Sequence, residues 1–266
     1  MRDEKAQPMV AVYPDRESLS LAAAALFAQE ARRAVAARGR FDVLLSGGET
    51  PRRCYELLAE EPLAGSLPWR QVQFFWGDER WVPHDDPLSN FGMACRALLD
   101  KLPLDGAQIH PVPYRPTPAE SAQEYEKLLR AHFGDETPRF DLVLLGLGND
   151  GHTASLFPGS EPLLETRRWA CATTGPAGGP PRVTVTAPLI NKAALVAFVV
   201  AGGEKACVLQ RVLEGERDPQ LLPAQAIAPS DGRVLWLADR QSARLLSQSY
   251  GCELAADPLQ GRERRS

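Results

Sequence analysis

Asp141-Leu142-Val143-Leu144-Leu145-Gly146-Leu147-Gly148-Asn149-Asp150-Gly151-His152-Thr153 joins an apolar run to a glycine-rich turn that carries an acid and a base. Four successive apolar positions, Leu142 to Leu145, leave no polar face. That pattern is expected of a strand buried on both sides, as in a parallel sheet covered by helices. The turn that follows then lies at the carboxyl end of such a strand, where open α/β sheets bind their ligands.

Three more segments repeat this arrangement. Phe41-Asp42-Val43-Leu44-Leu45 reads as a strand and is followed by Ser46-Gly47-Gly48-Glu49-Thr50-Pro51. Val72 to Trp76 is followed by Gly77-Asp78-Glu79-Arg80-Trp81, and Ala194 to Val200 by Ala201-Gly202-Gly203-Glu204-Lys205. Helical periodicity fills the intervals. One helix is predicted over 16–38, with Asp15 as N-cap and a stop near Gly39. Others are expected after Thr50-Pro51, read as an N-cap and first-turn pair, from 90 to 99 behind Ser89, and from the capping box Thr117-Pro118-Ala119-Glu120 to about 132. Arg182–Thr186 and Arg233–Leu237 read as strands, and Gln241–Gln248 as a closing helix. The fold class expected is α/β, a doubly wound, mostly parallel sheet with helices on both faces. A single domain over 1–266 is expected, with Gly175–Pro181 as a surface loop rather than a joint, and a polar tail after about 251.

With 44% hydrophobic and 24% charged residues, the chain of 266 can bury a core without disulfides or metals. A net charge of −4 argues against nucleic acid or an anionic membrane as the main partner, but leaves room for a small anion held by a local basic cluster. The five cysteines are scattered with no CxxC pair, which reads as reduced thiols in a cytoplasmic protein. The charged N-terminus leads into no apolar segment, so neither a targeting signal nor a membrane span is expected.

Each of the four loops has two readings. Ser46-Gly47-Gly48 could cradle a phosphate at a helix N-terminus, or be a tight turn with an ordinary cap. Asp78, Glu79 and Arg80 could bind hydroxyls or a developing charge, or form a solvated ion pair. Lys205 could add a mobile charge to a second anion-friendly helix start, or lie on the surface. Gly146-Leu147-Gly148-Asn149-Asp150-Gly151 matches GxGxxG formally, but Asp150-Gly151 reads as a turn, and Trp169-Ala170-Cys171-Ala172 supplies no acid for a dinucleotide ribose. Histidine as a residue type, with its ordinary pKa near ~6.5, suits a general base. His152 is the histidine placed in a post-strand glycine loop, and Asp150 is spaced to orient its ring. His84, His110 and His132 read as structural, and no ligand spacing suggests a metal.

Across these blocks the sequence closely resembles the 6-phosphogluconolactonase family. The resemblance extends over Leu45–Pro51, Phe75–Val82 with Ser89-Asn90-Phe91, Asp141–Pro158, Arg182–Asn191 and Gly202–Ala206, and is most specific in Gly148–Pro158. It implies hydrolysis of 6-phospho-D-glucono-1,5-lactone in the pentose phosphate pathway, with no cofactor, by a monomer or homodimer. It further implies that His152, with Asp150, activates water. Ser46, Gly47, Gly48, Thr50, Arg182 and Lys205 would hold the phosphate, and Asp78, Arg80 and Asn90 the sugar. Arg80 or a glycine-loop N–H would serve the oxyanion. Two positions stand out. Glu49 puts a carboxylate in the expected phosphate loop and must point outward. Phe157 stands five residues after the histidine, where the related glucosamine-6-phosphate deaminases carry a glutamate, which favours hydrolysis over deamination.

Overall fold

The computed structural model describes residues 8–134, 138–176 and 178–247. In chain order the elements are β1 (Met9–Tyr13), α1 (Arg16–Arg38), β2 (Phe41–Leu45), α2 (Glu49–Leu58), α3 (Leu63–Ser66), β3 (Val72–Trp76), β4 (Asp78–Arg80), α4 (Asn90–Ala97) and β5 (Ile109–His110). There follow α5 (Pro118–Phe133), β6 (Leu142–Leu145), α6 (Glu161–Leu164), β7 (Ala170–Thr173), β8 (Arg182–Val185), α7 (Ala187–Ile190), β9 (Leu195–Val200), α8 (Ala206–Glu214), β10 (Arg233–Asp239) and α9 (Arg240–Ala243).

Seven strands form one parallel sheet in the order β1-β10-β9-β6-β2-β3-β5. The run that suggested the fold, β6, is its middle strand, and all four of its residues are buried. Chain order explains the ligand site. From β2 the chain moves outward to β3 and β5, then returns to β6 and moves outward the other way to β9 and β10. β2 and β6 are therefore neighbours whose following loops diverge, which opens a crevice at their carboxyl ends. The doubly wound, mostly parallel α/β fold is the one expected.

Local signals set the element ends. Asp15 accepts from Ser18 N at 2.8 Å, and Gly39 closes α1 in the left-handed conformation at φ 74°. Thr117 caps α5 by accepting from Glu120 N at 3.2 Å. Thr50 does not cap α2. The helix begins two residues earlier, at Glu49, with Gly48 as N-cap at φ 108° and no side-chain cap. The closing helix is also shorter than expected, Arg240–Ala243. Its expected end at Gln248, the polar tail and the N-terminal segment before Pro8 lie outside the described residues.

A second, antiparallel sheet, β4-β8-β7, was not foreseen. Asp78-Glu79-Arg80, read from sequence as a charged loop, is its first strand, paired Asp78 to Thr184 and Arg80 to Arg182. Gly77 joins the two sheets. Its N–H donates to Leu45 O and its carbonyl accepts from Val185 N, both at 2.8 Å. The small sheet thus stands over the carboxyl end of β3 and brings Arg182 to the crevice.

Candidate active site

The loop after β6 is folded tightly around its histidine. Gly148 N donates to His152 O at 2.8 Å, and Gly151, at φ 86°, turns the chain. The Asp150 carboxylate accepts from His152 N at 3.1 Å and faces His152 Nδ1 at 2.5 Å. With Nδ1 donating to this oxygen, the Nε2 lone pair is left for chemistry. Burial pushes the Asp150 carboxyl upward, but the backbone N–H and the ring of His152 outweigh it, and the group is held below the usual carboxylate range. Phe157 packs on the imidazole, with ring centroids 4.8 Å apart.

His152 and Asp150 line a cavity of about 680 Å³ between the loops. Ser46, Gly47 and Gly48 come to its wall from β2, Asp78 and Arg80 from β4, Asn90 from α4, Arg182 from β8 and Lys205 from the turn after β9. Gly47 is a glycine because Asn90 needs the space. A β-carbon there would lie 1.9 Å from Asn90 Oδ1. Asn90 Nδ2 in turn donates to the Asp78 carbonyl at 2.9 Å and to Asp78 Oδ1 at 3.3 Å. The Ser46 hydroxyl is buried in this wall with no hydrogen-bond partner, a donor left for a ligand.

Among the described residues, no salt bridge within 4 Å holds Arg182 or Lys205, although Asp78 and Glu79 act on the first from farther off. Burial, and then the nearby Arg80 guanidinium, push Arg182 below its ordinary range. Burial lowers Lys205 as well, against the pull of Glu204 and Asp150. Lys205 Nζ donates to Asn149 Oδ1 at 2.7 Å, and Arg182 contacts only the carbonyl of Pro180, at 3.3 Å, among the described residues. An anion entering here would relieve both desolvation and like-charge repulsion.

Of the residues that the resemblance assigns to substrate or water, Thr50 alone is not in the cavity wall; it lies inside α2. Glu49 points away. Its side chain is 71% exposed and pairs with Arg52 at 2.7 Å, so no carboxylate disturbs the glycine loop. Glu79, read with Asp78 and Arg80 as either a hydroxyl-binding group or part of a solvated ion pair, is neither: it is buried outside the cavity wall, and burial raises its carboxyl. It accepts from Asn90 N at 2.7 Å, Phe91 N at 2.8 Å and Ser89 Oγ at 3.0 Å, so it holds the start of α4 and with it Asn90. Ser155 and Thr184 were also missed; no local pattern marks a contact between segments so far apart in the chain. Among the described residues, no cluster of His, Cys, Asp and Glu could hold a metal ion, and no helix is long and apolar enough to cross a membrane.

A doubly wound sheet with a His–Asp pair and three cations around one crevice defines an α/β enzyme acting on a small anionic substrate. The sequence model of the glucosamine-6-phosphate isomerases/6-phosphogluconolactonase family matches residues 14–236, and the chain belongs to that family. It is 43% identical over 243 residues to a 6-phosphogluconolactonase of Synechocystis, covering 90% of this chain and 98% of that one. It is 39% identical over 247 residues to the human 6-phosphogluconolactonase, covering 91% and 95%. The solved structure of 6-phosphogluconolactonase from Trypanosoma cruzi superposes with a TM-score of 0.82 at 32% identity, over 91% of this chain and 98% of that one.

Proposed function

We propose that this enzyme hydrolyses 6-phospho-D-glucono-1,5-lactone to 6-phospho-D-gluconate, the lactone-opening step of the oxidative pentose phosphate pathway, with His152 as general base. The observation that carries the reading is the 2.5 Å contact between Asp150 and His152 Nδ1 in the cavity that also holds Arg80, Arg182 and Lys205. Family membership and the named relatives support the same substrate.

In this mechanism a water on His152 Nε2 attacks the lactone carbonyl carbon and gives its proton to the imidazole. Asp150 stabilises the imidazolium. The carbonyl oxygen becomes an oxyanion, which Arg80 or a glycine-loop N–H stabilises; one amino group of Arg80 is already fixed on Leu88 O at 2.5 Å. The ring C–O bond then breaks, and the imidazolium returns the proton to the leaving oxygen. Ser46, Gly47, Gly48, Arg182 and Lys205 hold the phosphate, while Asp78 and Asn90 bind sugar hydroxyls. The described residues act as one domain in this reading, because β4 and β8 complete a site begun by the larger sheet.

The alternative chemistry of the family, isomerisation with deamination, is disfavoured by Phe157, whose apolar ring occupies the wall beside His152. Purified protein offered the lactone and, separately, glucosamine 6-phosphate tests the choice. Acid release from the first without ammonia from the second is expected. Ammonia release at a comparable rate would reverse the assignment.

A further inference from the structure

We propose that Ser155 is a positioning residue for this reaction, holding the His152 loop and Asp78 in one register; the inference rests on the hydrolase reading above. Ser155 lies three residues after His152 and is 1% exposed. Its hydroxyl donates to Asp78 Oδ2 at 2.6 Å, and its N–H donates to the Thr184 hydroxyl at 3.1 Å. Three chain segments from two sheets meet at this one residue. The catalytic loop comes from β6, Asp78 from β4 and Thr184 from β8.

Between His152 and this anchor, Ala154 adopts φ 48°, the positive φ among the described non-glycine residues. A left-handed alanine persists only where its surroundings over-determine it. Here the loop is pinned on both sides of it. Thr153 Oγ1 donates to Gly146 O at 2.9 Å, and Ser155 is fixed through both its N–H and its hydroxyl. The Asp78 carboxylate, 9% exposed, takes its side-chain hydrogen bonds from Ser155 and Asn90. Ser155 therefore sets both the path of the loop behind His152 and the aim of a carboxylate in the cavity. Its action runs through these neighbours and needs no contact with substrate.

The test compares the wild type with Ser155→Ala, Asp78→Ala, the double variant and Thr184→Val, by steady-state kinetics on the lactone and thermal melts. Ser155→Ala is expected to lower kcat roughly 10- to 100-fold, the loss typical of a hydrogen bond to a charged group, with KM within about threefold. Because Ser155 acts partly through Asp78, its removal in the Asp78→Ala background should cost markedly less than in the wild type. Thr184→Val keeps the side-chain shape, removes the acceptor of the Ser155 N–H, and should also lower kcat. An unchanged kcat in Ser155→Ala, or the full loss repeated in the Asp78→Ala background, overturns the proposal. Should Ser155→Ala not fold, an unchanged kcat in Thr184→Val overturns it instead. A wild type without lactonase activity would sink the hydrolase reading itself, which distinguishes the two failures.

Discussion

A β-carbon on Gly148 would lie 2.0 Å from His152 Nδ1 and 2.7 Å from Asp150 Oδ1. The absence of a side chain at 148 is what lets the imidazole and the carboxylate meet above the turn. Gly148 needs no unusual backbone angle, unlike Gly151 at φ 86°. Its requirement is space for the catalytic pair.

Gly148→Ala should therefore fold and fail in catalysis. The methyl group must displace the His152 ring by an ångström or more, and a misplacement of that size costs about 100-fold in rate. Steady-state kinetics with a circular-dichroism melt would check this. A variant with wild-type kcat would show that the ring has freedom the loop geometry denies it.

Asp150→Asn keeps an oxygen for the His152 N–H but loses the charge that stabilises the imidazolium. Asp150 is about half exposed, at 51%, so water can partly replace it. A fall in kcat of roughly 10- to 100-fold is expected, smaller than at a fully buried triad carboxylate. Equal rates for the two proteins would remove Asp150 from the mechanism.

Lys205→Ala and Arg182→Ala should act on binding. Both cations are pushed below their ordinary ranges by burial, and a phosphate would restore the balance. Each removal should weaken 6-phosphogluconate binding roughly 10-fold or more, as expected for charge-assisted contacts. Titration calorimetry at two salt concentrations would measure it. Unchanged affinity in either variant would place the phosphate elsewhere in the cavity.

Outside the cavity wall, His110 stacks on Phe75 at 4.5 Å between ring centroids and contacts Gln73 at 2.8 Å. Burial, reinforced by His132, pushes its pKa down to about 4, against the pull of Asp42. The unfolded chain therefore binds a proton that the folded chain refuses between about pH 6.5 and 4. The stability that His110 contributes is present above that window and is lost as pH falls through it. Because the ring is partly exposed, the component is on the order of 1 kcal/mol. His110→Gln should flatten the dependence of Tm on pH between 6.5 and 4; an identical slope in wild type and variant would contradict it.

The strands of the large sheet were legible because burial on both faces leaves short, mostly apolar runs, unbroken in Leu142–Leu145 and interrupted by Asp42 and Gln73 in two others. Phe41–Leu45 and Val72–Trp76 have the boundaries expected of them, and Leu142–Leu145 lies in the middle of the sheet. The first strand, Met9–Tyr13, was not singled out, since an edge position buries it only in part. The small sheet was hidden for a different reason. Asp78-Glu79-Arg80 has the composition of a solvated turn, and Glu79 is buried only because the amides at the start of α4 satisfy its carboxylate. Thr50-Pro51 has the chemistry of a helix start, but Gly48 already turns the chain. The contact of Ser155 with Asp78 joins residues 77 positions apart, and no periodicity encodes it.

His152 carries the mechanism, so His152→Ala tests it most directly. Lactone hydrolysis by the purified variant should be measured above the spontaneous background, beside its melting curve. The expected result is a protein that folds as the wild type does and has lost at least about 1,000-fold in kcat, the scale set by removing a general base. A folded His152→Ala variant that hydrolyses the lactone at the wild-type rate would contradict the assignment of His152 as the base.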